Sequence, residues 1–147
     1  MPPERTLPLT RAAVEAAVSQ YWKVSTSKKA EEQQACYAEN AMVFATTSKR
    51  LEPVRLVWLR RQREYLAGDA KMKVQLGNID VEILDGDHAV AVYTIRLDAE
   101  EIAKPSADGQ KRSEEHIQLA RVTHIFQRGS QGALKIVHEH ISVPNEM

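Results

Sequence analysis

The sequence lacks most of what would announce a specialised protein. It has one cysteine, Cys36, in 147 residues, so neither an internal disulfide nor a cysteine-rich zinc site can form. A lone thiol fits a reducing compartment. Neither sign of charge is in excess: 20 Lys and Arg balance 20 Asp and Glu. That removes the global field that would draw nucleic acid or an anionic membrane surface. No run approaches the roughly 18 apolar residues of a membrane span. The opening MPPERTLPLT has no apolar signal core. There is no internal repeat, no glycine-rich phosphate loop and no Ser-His-Asp nucleophile pattern. These absences predict a cytoplasmic protein with no nucleic-acid or membrane partner. The length suits one domain with one core, expected over residues 10–147 behind a flexible stretch at 1–9.

What is present divides into a helical front and a stranded back. In TRAAVEAAVSQYWKV, Val14, Ala17, Val18, Tyr21 and Trp22 fall on one face at offsets of three and four, which predicts an amphipathic helix. Thr10 is placed to cap its first turn, with Leu9 starting a hydrophobic staple. Ser25, Thr26 and Ser27 interrupt it, because short hydroxylated side chains compete for backbone hydrogen bonds. A second helix is expected around Ala30–Ala38, then a short strand at Met42–Ala45. Pro53 suits the first turn of a third helix, whose face carries Val54, Val57, Trp58, Arg61 and Tyr65, with Gly68 as its cap. The basic run Arg60, Arg61 and Arg63 reads as a solvated face rather than an anion site.

From Lys71 the period changes to two. Met72, Val74 and Leu76 alternate with polar residues, and Ile79, Val81 and Ile83 continue in the opposite phase. A one-residue phase change beside Gly77-Asn78 is the mark of a β-bulge, and bulges bend strands. Asp85-Gly86-Asp87 is a tight turn. Strands follow at Ala89–Asp98, Glu115–Gln127 and Leu134–Val143, with a polar loop at 99–112 and a glycine turn at 128–132. The order α-α-β-α-β-β-β-β predicts an α+β protein, three N-terminal helices on a strongly curved antiparallel meander. The last strands are apolar on both faces. Helices cover one, so the other face is expected to mate with a second copy as a homodimer.

The ending Lys135-Ile136-Val137-His138-Glu139-His140-Ile141-Ser142-Val143-Pro144 resembles the last strand of SnoaL-like and nuclear-transport-factor-2-like domains. It is similar to the association domain of calcium/calmodulin-dependent protein kinase II, where an Ile-Val-His-x-His-x-Ser segment follows a glycine turn. Thr123-His124-Ile125-Phe126 resembles that family's penultimate strand. Tyr93-Thr94-Ile95-Arg96 resembles its central Tyr-Ile-Arg region, and Tyr37 with Phe44 its junction of second helix and first strand. Gly132-Ala133-Leu134 departs from the family's frequent Gly-x-Trp. The resemblance spans roughly residues 12–144. It implies a cone-shaped, cystatin-like fold with a pocket at one end, used in that superfamily by isomerases, dehydratases and cyclases, by ligand binders and by assembly modules. Fold alone does not choose among them.

The candidate site residues come from the strands and the aromatic set. By period two, His138, His140 and Ser142 share one face of the last strand with Ile136, while Val137, Glu139, Ile141 and Val143 share the other. If the histidine face points inward, His138 and His140 border the cavity, as proton-transfer groups or as structural histidines bonded to loop backbone and Ser142. A His-x-His pair alone is too few ligands for a metal, so neither metal nor cofactor is expected. Arg96 lies in an apolar strand. The resemblance implies a pocket arginine that grips an anion or carbonyl, against an edge arginine paired with Asp98 or Glu100. His124 falls where that family has a second pocket arginine; a register error would exchange it with Arg121. Tyr21, Trp58 and Tyr65 are placed at a pocket mouth. No acid stands at a convincing inward position, and Glu139 faces away from the histidines. The leading expectation is a binder of a small, partly apolar anionic or carbonyl ligand, held by Arg96, His124 and His140 with Tyr21, Trp58 and Tyr65. The alternatives are an isomerase, dehydratase or cyclase with His124, His138 or His140 as base, and a dimerisation module with a vestigial pocket.

Overall fold

The computed structural model describes residues 8–27, 30–45, 49–54, 56, 71–102, 113–129 and 131–144. Helix α1 spans Arg11–Thr26. Thr10 caps it, its hydroxyl accepting the Ala13 amide at 3.2 Å. The periodic set is the buried set: Val14, Val18, Tyr21 and Trp22 face the core, joined by Val24 and Ser25. The hydroxylated end is helical to Thr26, where Ser25, Thr26 and Ser27 bond back to carbonyls three and four residues earlier. Helix α2 is short, Ala30–Ala35. Strand β1, Tyr37–Phe44, takes over earlier than the helical pattern predicts. Tyr37, Ala41 and Val43 are its buried residues, and this period of two overrides the helix propensity of the alanines.

The remaining strands are β2 (Glu52–Pro53), β3 (Lys71–Leu76), β4 (Asp80–Ile83), β5 (His88–Ile102), β6 (Ser113–Arg128) and β7 (Leu134–Ser142). The expected third helix falls mostly on residues 57–70, outside the described residues. One sheet runs β2-β1-β7-β6-β5-β3, with β4 also paired to β5. All its pairings are antiparallel except that of β1 with β7, which is parallel. The meander is thus extended past its last strand by the first, a long-range pairing that no local pattern carries.

Besides the register shift between Tyr37 and Met42 where β1 meets β7, two bulges decide which side chains face the core. Leu76 pairs with Ile95 and Asp80 with Val92, so Gly77, Asn78 and Ile79 stand opposite Tyr93 and Thr94 alone. The extra residue is where the phase of the apolar pattern changes, and it keeps Val74 and Leu76 on the same side of the sheet as Ile79 and Val81, against the core. Gly77 donates its amide to the Thr94 carbonyl at 2.9 Å. A Cβ at this position would lie 2.6 Å from Thr94 Oγ1 and 3.1 Å from that carbonyl oxygen, so a side chain here would force the Thr94 hydroxyl aside and press on the strand. The second bulge is in β7. Phe126 pairs with Ile136 and Ile125 with His138, leaving Val137 over.

The core fills the concave side of the sheet. Helix α1 packs there on Ala89, Ala91, Tyr93 and Ile95 of β5, Ala120, Val122 and Phe126 of β6, and Ile136 and Ile141 of β7. Among the described residues, no helix is long and apolar enough to cross a membrane. The architecture is α+β, a curved, unclosed sheet with helix α1 against its inner face.

Candidate functional site

Strict alternation along β7 would put Ile136 on one face with His138 and His140. The residue inserted at Val137 breaks that count. Ile136, Glu139 and Ile141 are the buried residues of β7, and His138 and His140 take the outer face. Glu139 therefore sits directly opposite His124 of β6, and neither side chain exposes any surface. This overturns the expectation that no acid occupies an inward position. Glu139 does face away from His138 and His140, and the direction it takes is into the core. The available signal was the separation of Ile136 from Ile141. An odd spacing of five between two large apolar residues cannot place both inward on a regular strand.

Around this pair runs a chain of hydrogen bonds drawn from four strands and one helix. Trp22 Nε1 donates to the Tyr93 hydroxyl oxygen at 2.7 Å, and that oxygen lies 3.1 Å from His124 Nδ1. His124 Nε2 is 3.0 Å from Glu139 Oε1. The Tyr37 hydroxyl donates to the same carboxylate, 2.9 Å from Oε2 and 3.1 Å from Oε1. Tyr21 and Tyr37 bring their hydroxyls to 2.6 Å. The imidazole is boxed edge-on by Tyr21 at 4.9 Å, Phe126 at 5.6 Å and Tyr93 at 5.7 Å between ring centres. Burial pushes the Tyr93 phenol well above the usual tyrosine range, so it holds its proton.

Such an arrangement is expensive as structure. Desolvating a carboxylate and an imidazole costs several kcal/mol, on the order of what their attraction returns, and apolar side chains of equal volume do as well. What the chain offers instead is a route for protons: three phenols, one imidazole and one carboxylate in unbroken hydrogen-bond contact.

The other expected site residues lie elsewhere. Arg96 is exposed on the outer face, with its Nε donating to Asp98 Oδ1 at 3.2 Å. His138 is half-buried there, Nδ1 against the Met42 carbonyl at 2.9 Å. His140 is exposed, its ring 5.5 Å from that of Phe44. Arg121 also points outward, donating to Ser142 Oγ at 3.2 Å, so of the two candidates on β6 it is His124 that faces the core. Tyr21 is in the interior, while Trp58 and Tyr65 lie outside the described residues. Of the expected set the structure brings together His124 and Tyr21. To them it adds Glu139, Tyr37, Tyr93 and Trp22, of which the aromatics read from sequence as core or junction residues. Among the described residues, no three His, Cys, Asp or Glu side chains gather as a metal site requires.

The fold is shared with solved structures of low sequence identity. A candidate dehydratase of the nuclear-transport-factor-2-like family from Streptomyces avermitilis superposes with a TM-score of 0.75 at 16% identity, covering 92% of this chain and 97% of that one. A candidate scytalone dehydratase from Novosphingobium aromaticivorans gives 0.73 at 12% identity over 91% and 83%. The association domain of calcium/calmodulin-dependent protein kinase II from C. elegans gives 0.70 at 17% identity over 90% and 95%. At these identities the likeness is one of fold. No curated protein matches the sequence. The family model for the SnoaL-like domain matches residues 14–146, nearly the whole chain, and the protein belongs to the SnoaL-like domain family.

Proposed function

We propose that the protein is an acid–base enzyme of dehydratase or isomerase type, acting on a small, partly apolar hydroxyl or carbonyl compound through His124. The observation that carries this reading is the buried imidazole, with Tyr93 and Glu139 each within hydrogen-bond reach of one ring nitrogen. A histidine so held has its orientation fixed, a carboxylate placed to offset positive charge on the ring, and a hydroxyl placed to relay a proton. Exposure supports the relay. His124 and Glu139 expose no surface, so a substrate proton reaches the imidazole only through a neighbour, and Tyr93 is the neighbour at Nδ1. In the proposed step the substrate proton passes to the Tyr93 oxygen while the Tyr93 proton passes to His124 Nδ1. Tyrosine stays neutral throughout, and the imidazolium forms beside Glu139. The fold neighbours include candidate dehydratases and a ketosteroid-isomerase-like protein from Erwinia carotovora.

The test is proton exchange in deuterated water with a panel of cyclic ketones and β-hydroxy ketones, followed by proton NMR. At least one compound is expected to exchange or lose water, with the rate falling about 10²–10⁴-fold in His124→Gln, the usual contribution of a general base. A panel left untouched, or a folded His124→Gln protein as active as the parent, would overturn the reading. Anchoring of an anionic ligand by Arg96 has less support, since that side chain is paired with Asp98 on the outer face.

We further propose that the outer face of the sheet joins two copies. Val92 and Leu119 are 46% and 60% exposed there. Neighbouring strands present half-buried Val90 and Ile125 on the same face. Such a face is costly to leave in water. Sedimentation at micromolar concentration is expected to give twice the 16.6 kDa chain mass, and Leu119→Asp to shift it toward one copy. A parent protein sedimenting as a single chain would sink the dimer.

A further inference from the structure

We propose that Trp22 is a positioning residue that sets which nitrogen of His124 carries the proton. The inference rests on the acid–base reading above, because it assigns a task to the base. An indole N–H can only donate. At 2.7 Å it occupies an acceptor position on the Tyr93 oxygen. The Tyr93 proton is then turned toward His124 Nδ1, 3.1 Å away, and a nitrogen that accepts a hydrogen bond carries no proton of its own. The ring proton must sit on Nε2, from which it is given to Glu139. Glu139 agrees from the opposite end. Its carboxylate already accepts from the Tyr37 hydroxyl, and a ring proton on Nε2 would be given to the same group.

The groups facing the ring from each described element fit this direction. On α1, Tyr21 lies edge-on and Trp22 acts through Tyr93. On β5 it is Tyr93, on β6 Phe126, on β7 Glu139, and on β1 Tyr37 acts through that carboxylate. Were Nδ1 protonated instead, the Tyr93 oxygen would receive two N–H groups, and its own proton would have to leave the chain of contacts. Trp22 therefore keeps Nδ1 in the form that can take a proton from the Tyr93 side. A phenylalanine at this position would fill nearly the same space and lose that control.

The experiment is nitrogen-15 NMR of the histidine rings at neutral pH, with His124 assigned by difference against His124→Gln. In the parent, Nδ1 of His124 is expected at the non-protonated position and Nε2 at the protonated one. In Trp22→Phe the Nδ1 resonance moves toward the protonated position, because the Tyr93 oxygen is freed to accept. In Tyr93→Phe it moves the other way, because Nδ1 loses the hydrogen bond it accepts. A parent with protonated Nδ1 would overturn the inference, as would a Trp22→Phe protein with Nδ1 unmoved. If Trp22→Phe fails to fold, Tyr93→Phe decides: an unmoved Nδ1 there means that the hydroxyl is not on the ring. No substrate enters these spectra. A protein that gives the expected shifts but turns over no compound keeps the positioning role and loses the reaction.

Discussion

Replacing Glu139 with alanine is expected to cost about 3–5 kcal/mol of folding stability, the range for breaking a buried charged pair from one side. Truncation removes the acceptor for His124 Nε2 and for the Tyr37 hydroxyl together. His124 Nε2 is left facing a void, an unsatisfied group that adds about 1–3 kcal/mol, while the Tyr37 hydroxyl keeps the Tyr21 oxygen at 2.6 Å. Glu139→Gln should lie between, since one amide oxygen remains and the amide nitrogen meets a second donor. The decisive comparison is a cycle with His124. Because the pair is costly to bury, His124→Phe combined with Glu139→Leu should recover much of what Glu139→Ala loses, giving a large coupling between the two sites. Urea unfolding followed by tryptophan fluorescence measures all of these. A Glu139→Ala protein within about 1 kcal/mol of the parent would mean that the carboxylate is not sealed in the core.

That a carboxylate sits there at all bears on the choice between enzyme and assembly module. A domain whose only task is to pair with itself gains from an apolar interior, and leucine or phenylalanine at positions 124 and 139 would serve it better. The proposed association through the outer face, with exposed Val92 and Leu119, asks for surface burial alone. Interior network and outer face therefore make separate demands on the same sheet. Along β6 and β7 they are met residue by residue: Arg121, Thr123 and Ile125 pair outward with Ser142, His140 and His138, while Val122 and His124 pair inward with Ile141 and Glu139.

What could be read from sequence was what local periodicity records. The face of α1, the Thr10 cap, the bulge at Gly77 and the three long C-terminal strands all express a period of 3.6 or 2, or a break in one. The parallel pairing of β1 with β7 joins residues about a hundred positions apart, such as Tyr37 and Ile136, and leaves no mark on either segment. The bulge at Val137 hides differently. Gly77 announces its bulge by composition, whereas Ile136-Val137-His138 contains neither glycine nor proline and reads as uninterrupted strand. One uncounted residue exchanged the faces of everything after it, which sent Glu139 inward and the two histidines out. Arg96 is a related case. An apolar neighbourhood in sequence is two faces of one strand, and Val92 and Thr94 beside it belong to the outer one.

The same bulge yields a prediction of unequal cost at two positions of one strand. Deleting Val137 should be the milder change. It makes Ile136, Glu139 and Ile141 alternate without interruption, so the same three side chains still point inward, opposite Phe126, His124 and Val122 as before. The losses are one half-buried valine and the local bend, about 1–2 kcal/mol. Deleting His140 removes a residue from the regular part of the strand. Either Ile141 turns outward and Ser142 inward beside Val122, or the strand slips and turns Glu139 out, which leaves His124 unpaired. The first route costs about 2–5 kcal/mol for the lost apolar side chain and the second about as much for the orphaned imidazole. Against a total stability of about 5–15 kcal/mol, the His140 deletion stands near the threshold of folding. Urea midpoints of the two deletion proteins compare them directly. If removing Val137 proved the more damaging, the extra residue of β7 would have to lie elsewhere, and with it the face that carries Glu139.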